Sequence, residues 1–348
     1  MKKLIIHMTE GEAYNAASKA RRDAEEIAFR CGYTPLTFKS GRTANGSLSE
    51  MVHIGISAFQ NWQKVVETAE KGSIILVQYP HYPIKTAILM RRMIQKGHKR
   101  DLHFIALIHD LDSLRTLHGR GAVFSDQKVL PVFDAIICHN EKMKEYLTEL
   151  GISKDKLISI GLFDYLFEGE TAPFGDGVVI AGNLSADKCG YIQKLIRGIR
   201  MPIHLYGKGM EKGSYPTSVH NHGAFPPEEL PAILEGGYGL VWDGTEINDC
   251  VGVSGEYLKW NNPHKFSLYM AACKPVIVWK ESALAELVTK QKLGIVVSSL
   301  EDVENMLHGV SLQEIEEMLR NVGEISKQVR QGRYLQEAIR KAEIVAKQ

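Results

Sequence analysis

The sequence predicts an α/β protein made of two doubly wound parallel sheets that face each other across a cleft. Short apolar runs alternate with longer amphipathic stretches, which is typical of βα units. This alternation breaks off at the Gly- and Pro-containing stretch 169–177 and then starts again. The 348 residues fit two domains, since one domain takes ~100 to 200 residues. We therefore predict an N-terminal domain over 1–165, a C-terminal domain over 166–325 and a helix over 326–348 that packs back on the first domain.

In the first half, apolar runs predict strands over Lys3–Met8, Thr34–Phe38, Ile74–Gln78, His103–Ile108 and Ala135–Cys138. A helix is predicted over Ala13–Arg30, because apolar residues recur there at helical spacing before Gly32. The segment Lys39–Gly55 breaks the rhythm with turn-forming polar residues and predicts a long loop.

In the second half, the predicted strands are Val178–Ala181, Ile203–Tyr206, Tyr238–Trp242, Pro275–Trp279 and Ile295–Val297. Helices are predicted from about Asp187 and from Pro263, and apolar residues at helical spacing predict further helices from Ile315 to the end. Two successive open α/β domains are the architecture expected when a ligand lies between them.

The composition excludes several classes of partner. Lysine and arginine (42) balance aspartate and glutamate (41), so no global field favours nucleic acid, and an anionic ligand must meet a few local cations. No run approaches the ~20 apolar residues of a membrane span. Five scattered cysteines without a C-x-x-C pair favour neither a disulfide framework nor a zinc site. We therefore expect a cytoplasmic protein without a structural zinc site of cysteines.

The turn after the first predicted strand is a candidate ligand site. It contains Gly11, Asn15 and Lys19, and small residues there let backbone N–H groups approach a ligand at the sheet edge. The turn matches neither G-x-G-x-x-G nor a Walker A loop. An ordinary βα turn capped by Thr9 explains it equally well.

Two further candidates follow strands of the first half. His109 and Asp110 come directly after the fourth strand, where either could accept a proton from an attacking hydroxyl, and Arg115 could neutralise a charge. Gln78 and Tyr79 end the third strand and could contact a sugar ring. A structural hydrogen-bonded His-Asp pair and a turn stiffened by prolines are the alternatives.

Turns of the second half offer weaker candidates. Asn183 and Lys188 follow the strand that opens this half, and Tyr206 and Gly207 end the next, where a base or ribose could lie against the backbone. Asp243 follows the strand Tyr238–Trp242 and is placed with them.

The strongest candidate is the stretch Tyr257–Trp279. Pro263 suits the start of a helix, which puts Lys265 in the first turn beside free N–H groups and the positive end of the helix dipole. This is the outline of a diphosphate site, although a solvated surface lysine is the simpler alternative. The stretch also supplies the ligand candidates Tyr257, Asn262, His264 and Ser267.

At this stretch the sequence resembles the GT-B glycosyltransferases, which have two Rossmann-like domains. The usual pattern of this family is a proline, a lysine, a short apolar helix and small residues, and this chain matches it up to Lys274–Ile277. It departs from the pattern at Ser267 and Tyr269, which stand where many relatives carry a ribose-binding glutamate. With Tyr14–Asp23 and Ile108–Arg115, the chain most resembles the glucosyltransferases that add the second sugar to streptococcal serine-rich-repeat adhesins, and the related β-1,6-galactofuranosyltransferase group.

The resemblance implies a cytoplasmic enzyme that uses a UDP-sugar without a metal ion. The C-terminal domain would bind UDP-glucose, and the N-terminal domain would bind an N-acetylglucosamine (GlcNAc) already linked to serine or threonine of a Ser/Thr-rich protein, with the predicted loop Lys39–Gly55 as an acceptor-binding element. A homo-oligomer, dimer or tetramer, is expected. The alternatives are galactofuranosyl transfer, a UDP-sugar epimerase of the same fold, and a non-catalytic subunit of a transferase complex.

Overall fold

The fold was analysed in a computed structural model, which describes residues 2–9, 16–39, 48–80, 87–115, 126–210 and 213–348. The chain divides into two compact units. The first contains the described residues within Met1–Ala13, Ala24–Gly161 and Leu335–Gln348, and the second those within Tyr14–Asp23 and Leu162–Tyr334.

Each unit contains one parallel six-stranded sheet. The first sheet has the order β2-β1-β3-β4-β5-β6, with strands β1 Lys3–Thr9, β2 Thr34–Lys39, β3 Ile74–Tyr79, β4 His103–Ile108, β5 Ala135–Cys138 and β6 Leu157–Ser159. The second has the order β12-β11-β10-β7-β8-β9, with β7 Val178–Asn183, β8 Ile203–Lys208, β9 Val219–Gly223, β10 Tyr238–Val241, β11 Val276–Trp279 and β12 Gly294–Val297. The direction of strand addition reverses between β1 and β3 and between β7 and β10, and such switch points are where doubly wound sheets bind ligands.

The helices alternate with these strands. In chain order they are α1 Ala16–Arg30, α2 Leu48–Thr68, α3 Ala87–His98, α4 Asp112–Arg115, α5 Glu141–Glu149, α6 Ala186–Cys189, α7 Tyr191–Gly198, α8 Leu230–Ile233, α9 Gly252–Tyr257, α10 His264–Ala271, α11 Ala285–Gln291, α12 Val303–His308, α13 Leu312–Gln331 and α14 Arg333–Val345. None of the helices in the described ranges is both long enough and apolar enough to cross a bilayer.

The cores confirm the interpretation of the apolar runs as strands covered on both faces. Every residue of β3 is buried, as are all four of β5, β10 and β11. The four apolar positions that predicted α1 are buried as well: Ala20, Ala24, Ile27 and Ala28. In the first unit, Phe38 packs edge to face on Trp62 with 5.5 Å between ring centroids.

One core residue of the second unit is a lysine. Lys274 has no exposed surface, and its Nζ donates to the carbonyls of Pro173 (2.6 Å) and Gly236 (2.8 Å). Burial lowers its pKa to about 8. The Lys274 side chain thus ties the segment between α10 and β11 to the backbone at Pro173 and Gly236.

Two sequence-based expectations need correction. The predicted loop Lys39–Gly55 is wrong at both ends, since Lys39 ends β2 and α2 begins at Leu48; its middle lies outside the described residues. The apolar spacing after Leu48 outweighs the polar turn residues before it. Strands β6 and β9 were not predicted, because β6 has three residues and β9 is a polar edge strand.

Candidate active site

The switch point of the second sheet carries a group of charged side chains. Trp242 and Asp243 follow β10, and Asn183 ends β7, the neighbouring strand across the switch. Helix α10 begins at His264, directly after Pro263, as the proline predicted. Lys265 therefore lies in the first turn of this helix.

Lys265 is held by the strand end. Its Nζ donates to Asp243 Oδ1 (2.7 Å) and to the Trp242 carbonyl (3.0 Å). Lys188 of α6 lies 3.9 Å from the other oxygen of the same carboxylate. The Lys265 and Asp243 side chains are only 10% and 6% exposed, whereas Lys188 is 37% exposed. Two lysines thus flank one carboxylate, which leaves the group a net positive charge.

The pairing decides the charge state of Lys265. Burial acts to lower the pKa of its ammonium group, but the Asp243 carboxylate outweighs this, and the pKa lies above its usual range. Lys265 therefore carries a full charge at neutral pH, as the role of an anion-binding residue requires.

The helix behind Lys265 serves the fold. The hydroxyl of Tyr269 accepts from the N–H of Ala181 (3.0 Å) and lies within donating distance of the Val179 carbonyl (3.1 Å), so it ties α10 to β7. Its ring occupies the space left by Gly239, where an added Cβ would come within 2.2 Å of the ring. Ser267 is 2% exposed. The two positions at which many relatives carry a ribose-binding glutamate are therefore both buried here.

The turns after β7 and β8 show why glycines occur there. A Cβ on Gly207 would lie 1.8 Å from the Gly182 carbonyl, so the two strand ends approach each other closely. The Asn183 side chain accepts from the N–H of Ser185 (3.0 Å) and shapes the turn into α6. Close backbone packing accounts for Gly207 without a bound nucleotide.

Three candidates lie just before α10 or at its first residue. Tyr257 and Asn262 are 4% and 3% exposed. The His264 ring lies against Phe163, with 4.6 Å between centroids. Burial, with the charge of Lys19 nearby, lowers the pKa of His264 to about 4, so it is neutral at pH 7.

In the first unit, a hydrogen-bonded chain of side chains ends at His109. His109 Nε2 lies 2.7 Å from Gln78 Oε1, Gln78 Nε2 donates to Glu25 Oε1 (3.1 Å), and His7 Nδ1 lies 2.8 Å from Glu25 Oε2. An amide oxygen only accepts, so the proton of His109 is on Nε2 and Nδ1 is the basic nitrogen. The sequence had singled out His109 and Gln78 separately, but neither Glu25 nor His7, because no spacing pattern joins them.

The remaining candidates beside β4 are paired with one another. Arg115 donates to Asp110 and lies 4.0 Å from Asp112. Asp112 is 6% exposed, and burial raises its pKa although Arg115 opposes this. The spacing of Asp110 and Asp112 could suggest a metal site, but both carboxylates lie beside the Arg115 guanidinium. Tyr79 is 3% exposed, and its hydroxyl donates to Asp126 (2.5 Å), so its ring is not available to a sugar in this conformation.

Lys19 lies in the second unit. Its Nζ donates to Asp23 (2.8 Å) and to the Leu166 carbonyl (3.0 Å), while Asp23 accepts from the N–H of Leu166 (3.0 Å). Lys19 is 3% exposed, and its charge lies 4.6 Å from the centre of the Tyr165 ring. The pair thus holds the backbone at Leu166. The other two candidates of this turn, Gly11 and Asn15, lie outside the described residues.

The chain matches two family models. Glucosyltransferase 3-like, N-terminal domain, matches residues 2–162, and Glucosyltransferase 3-like, C-terminal domain, matches residues 178–342.

Individual relatives agree with these models. The β-1,6-galactofuranosyltransferase WbbI of Escherichia coli (strain K12) is 34% identical over 68% of this chain and 69% of its own. Glucosyltransferase 3 of Streptococcus gordonii is 22% identical over 95% of both chains. The crystal structure of Anabaena Alr3699/HepE in complex with UDP superposes on this chain with a TM-score of 0.59. The match covers 100% of this chain and 99% of the Anabaena chain, and the two sequences are 15% identical. The chain therefore belongs to the glucosyltransferase 3-like family and is a glycosyltransferase with the GT-B fold.

Proposed function

We propose that this enzyme transfers glucose from UDP-glucose to GlcNAc already O-linked to serine or threonine of a Ser/Thr-rich adhesin, acting in the cytoplasm as a homo-oligomer. The family supports the transferase chemistry. The Streptococcus gordonii relative, named Glucosyltransferase 3, supports glucose, and the UDP in the Anabaena structure supports a UDP-linked donor. The described cysteines are all free, which is compatible with a reducing compartment.

The observation that carries the proposal is Lys265 in the first turn of α10, paired with Asp243 and flanked by Lys188. When the bond between the sugar and the β-phosphate breaks, its electron pair leaves with UDP, and preorganised cations and helix N–H groups stabilise the negative charge that develops there. Lys265 is fixed and charged, and the more exposed Lys188 can turn from Asp243 towards a phosphate. Both lysines supply the charge that Mg²⁺ provides elsewhere, so we propose that no metal takes part in donor binding.

On the acceptor side, we propose that His109 removes the proton of the attacking hydroxyl. Its Nδ1 is the basic nitrogen, and Gln78 and Glu25 hold the tautomer. Asp110 is the weaker candidate for this role, because Arg115 holds its carboxylate. Gln78 would take part in acceptor binding only through His109, and Arg115 only through Asp110.

Galactofuranosyl transfer is the second candidate. It is favoured by one observation, the 34% identity to WbbI, which exceeds the 22% identity to the Streptococcus gordonii enzyme, although over a shorter stretch. The two candidates differ in the donor sugar and share the UDP site proposed at Lys265.

The test is a thermal-shift panel followed by a transfer assay. UDP and UDP-glucose should raise the unfolding midpoint without added metal, and GDP-, dTDP- and CMP-sugars should not, because a ligand that binds the native state stabilises it. Labelled UDP-glucose and UDP-galactofuranose are then offered with a GlcNAc-modified serine peptide. Transfer of galactofuranose alone would replace glucose in the proposal. Conversion of the donor without acceptor would indicate an epimerase, and neither transfer nor hydrolysis by the pure protein would indicate a non-catalytic subunit.

A further inference from the structure

Three side chains of the second unit lie together in a cluster that the sequence did not single out. They are His204 of β8, His222 of β9 and Glu235, which follows α8. His204 Nδ1 lies 3.1 Å from His222 Nε2 and 3.9 Å from Glu235 Oε2, and one ligand atom of each residue lies within 4.8 Å of the others. We propose that this cluster binds a divalent transition-metal ion, with zinc as its expected occupant.

The spacing fits such an ion. Zinc holds imidazole nitrogens at ~2.0–2.1 Å, so two nitrogens on a tetrahedral ion are about 3.3 Å apart. The observed 3.1 Å between the histidines is close to this distance. The carboxylate must approach His204 by about 0.6 Å and His222 by at most about 1.5 Å, and the Glu235 side chain has the freedom to do so because it is 67% exposed. Two imidazoles and one carboxylate leave a fourth position for water.

The chemistry of the cluster favours a transition metal over a hard cation. Imidazole suits zinc, copper and nickel, whereas Mg²⁺ and Ca²⁺ take oxygen ligands. A metal ion binds imidazole in its neutral form.

Tyr206 supports two of the three ligands. Its hydroxyl donates to the Ile233 carbonyl (2.8 Å) and accepts from the N–H of Glu235 (2.9 Å), so it fixes the backbone that carries the carboxylate. Its ring is parallel to that of His222, with 4.3 Å between centroids. Outer-shell contacts of this kind orient ligands in metal sites.

The place of the cluster in the sheet indicates a structural ion. His204 is the second residue of β8, whereas the lysine group follows the carboxyl ends of β7 and β10, where substrates bind in such sheets. An ion at the cluster would join β8, the edge strand β9 and the turn before β10. An exposed edge strand can pair with another chain, and the ion would oppose this by holding β9 on its own sheet.

The experiment is a Zn²⁺ titration of the full chain after chelator treatment, followed by calorimetry and by thermal unfolding. The wild-type chain should bind one equivalent and gain in unfolding midpoint, and Mg²⁺ should produce neither effect. His222→Ala and Glu235→Gln should each weaken binding by at least about 100-fold, and Tyr206→Phe by about 10-fold. His220→Gln is the matched control, since His220 stacks on His204 with 4.9 Å between centroids but is not one of the three ligands.

Circular dichroism of the metal-free variants shows whether they are folded, and the visible spectrum of bound Co²⁺ reports the ligand geometry independently. The proposal is overturned if the wild-type chain binds no Zn²⁺. It is equally overturned if folded His222→Ala and Glu235→Gln bind Zn²⁺ as tightly as the wild type, because the ion would then lie elsewhere in the chain.

Discussion

The Lys265 ammonium group lies 2.7 Å from the Asp243 carboxylate, in the first turn of α10. The cation that we propose for the diphosphate is thus paired with a protein anion. This pairing keeps a buried charge from being isolated, which would cost several kcal/mol. In the proposed donor site a diphosphate would share Lys265 with Asp243, and Lys188 would supply the second positive charge.

Replacing Lys265 should impair the transfer reaction and also lower the free energy of unfolding, because Asp243 loses its buried partner, so the kinetics are compared on folded protein. Lys265→Ala should lower kcat/KM by about 100-fold, because one preorganised contact to the leaving group is worth ~3 kcal/mol. Lys188→Ala should cause a smaller loss. Lys259→Ala is the control, since Lys259 lies five residues before the start of α10 and pairs with Glu256 instead of Asp243. Steady-state kinetics with UDP-sugar measures the effect, and full turnover by Lys265→Ala would refute the donor-site assignment.

Removing His109 should change the pH dependence of the reaction. A general base must be unprotonated, so the wild-type rate should fall on the acid side, and general base catalysis contributes about 100-fold or more. His109→Ala should lose that factor and the acid limb together. Gln78→Leu should lower kcat less and shift the limb, because the tautomer is no longer held. An unchanged pH–rate profile in His109→Ala would remove His109 from the role.

His264 should make the fold sensitive to acid. Its pKa is lowered to about 4 in the folded chain by burial and by Lys19, whereas an unfolded histidine titrates near about 6.5. The unfolded state thus binds the proton more tightly, and the free energy of unfolding falls between about pH 6.5 and 4, by up to about 3 kcal/mol. Above that range this contribution is constant.

Urea denaturation at several pH values measures this effect. His264→Phe should flatten the decline between about pH 6.5 and 4, because phenylalanine fills the same space beside Phe163 without titrating. His53→Gln is the control, since His53 is exposed on α2. Equal slopes in the wild type and His264→Phe would contradict the assignment of the acid sensitivity to His264.

Lys19 offers a test between acceptor binding and structural support. Lys19→Met should lower the free energy of unfolding by about 3 kcal/mol, because Asp23 would remain buried without its partner. Lys19→Met with Asp23→Leu should be less destabilised than the sum of the two single variants. A raised KM for the acceptor at unchanged stability would instead favour the binding role predicted from the sequence.

The sequence predicts the sheets far better than the site. Strands β4 and β5 were predicted residue for residue, because short, largely apolar runs are typical of strands that are buried on both faces of a parallel sheet. Pro263 located the start of α10 and thereby the position of Lys265. The Lys265–Asp243 pair joins residues 22 positions apart in sequence, and the Gln78–Glu25 bond joins residues 53 apart. Such contacts depend on how strands and helices pack, which no local pattern records.

The buried amine of Lys274 has a consequence for how this family's sequences are interpreted. Its two carbonyl partners lie in separate segments, so a methionine of similar length would leave two acceptors without a donor, and the planar fork of an arginine presents its N–H groups in a different geometry. Selection would then preserve lysine at this position in an alignment as strictly as any catalytic group. Such invariance would reflect folding rather than chemistry.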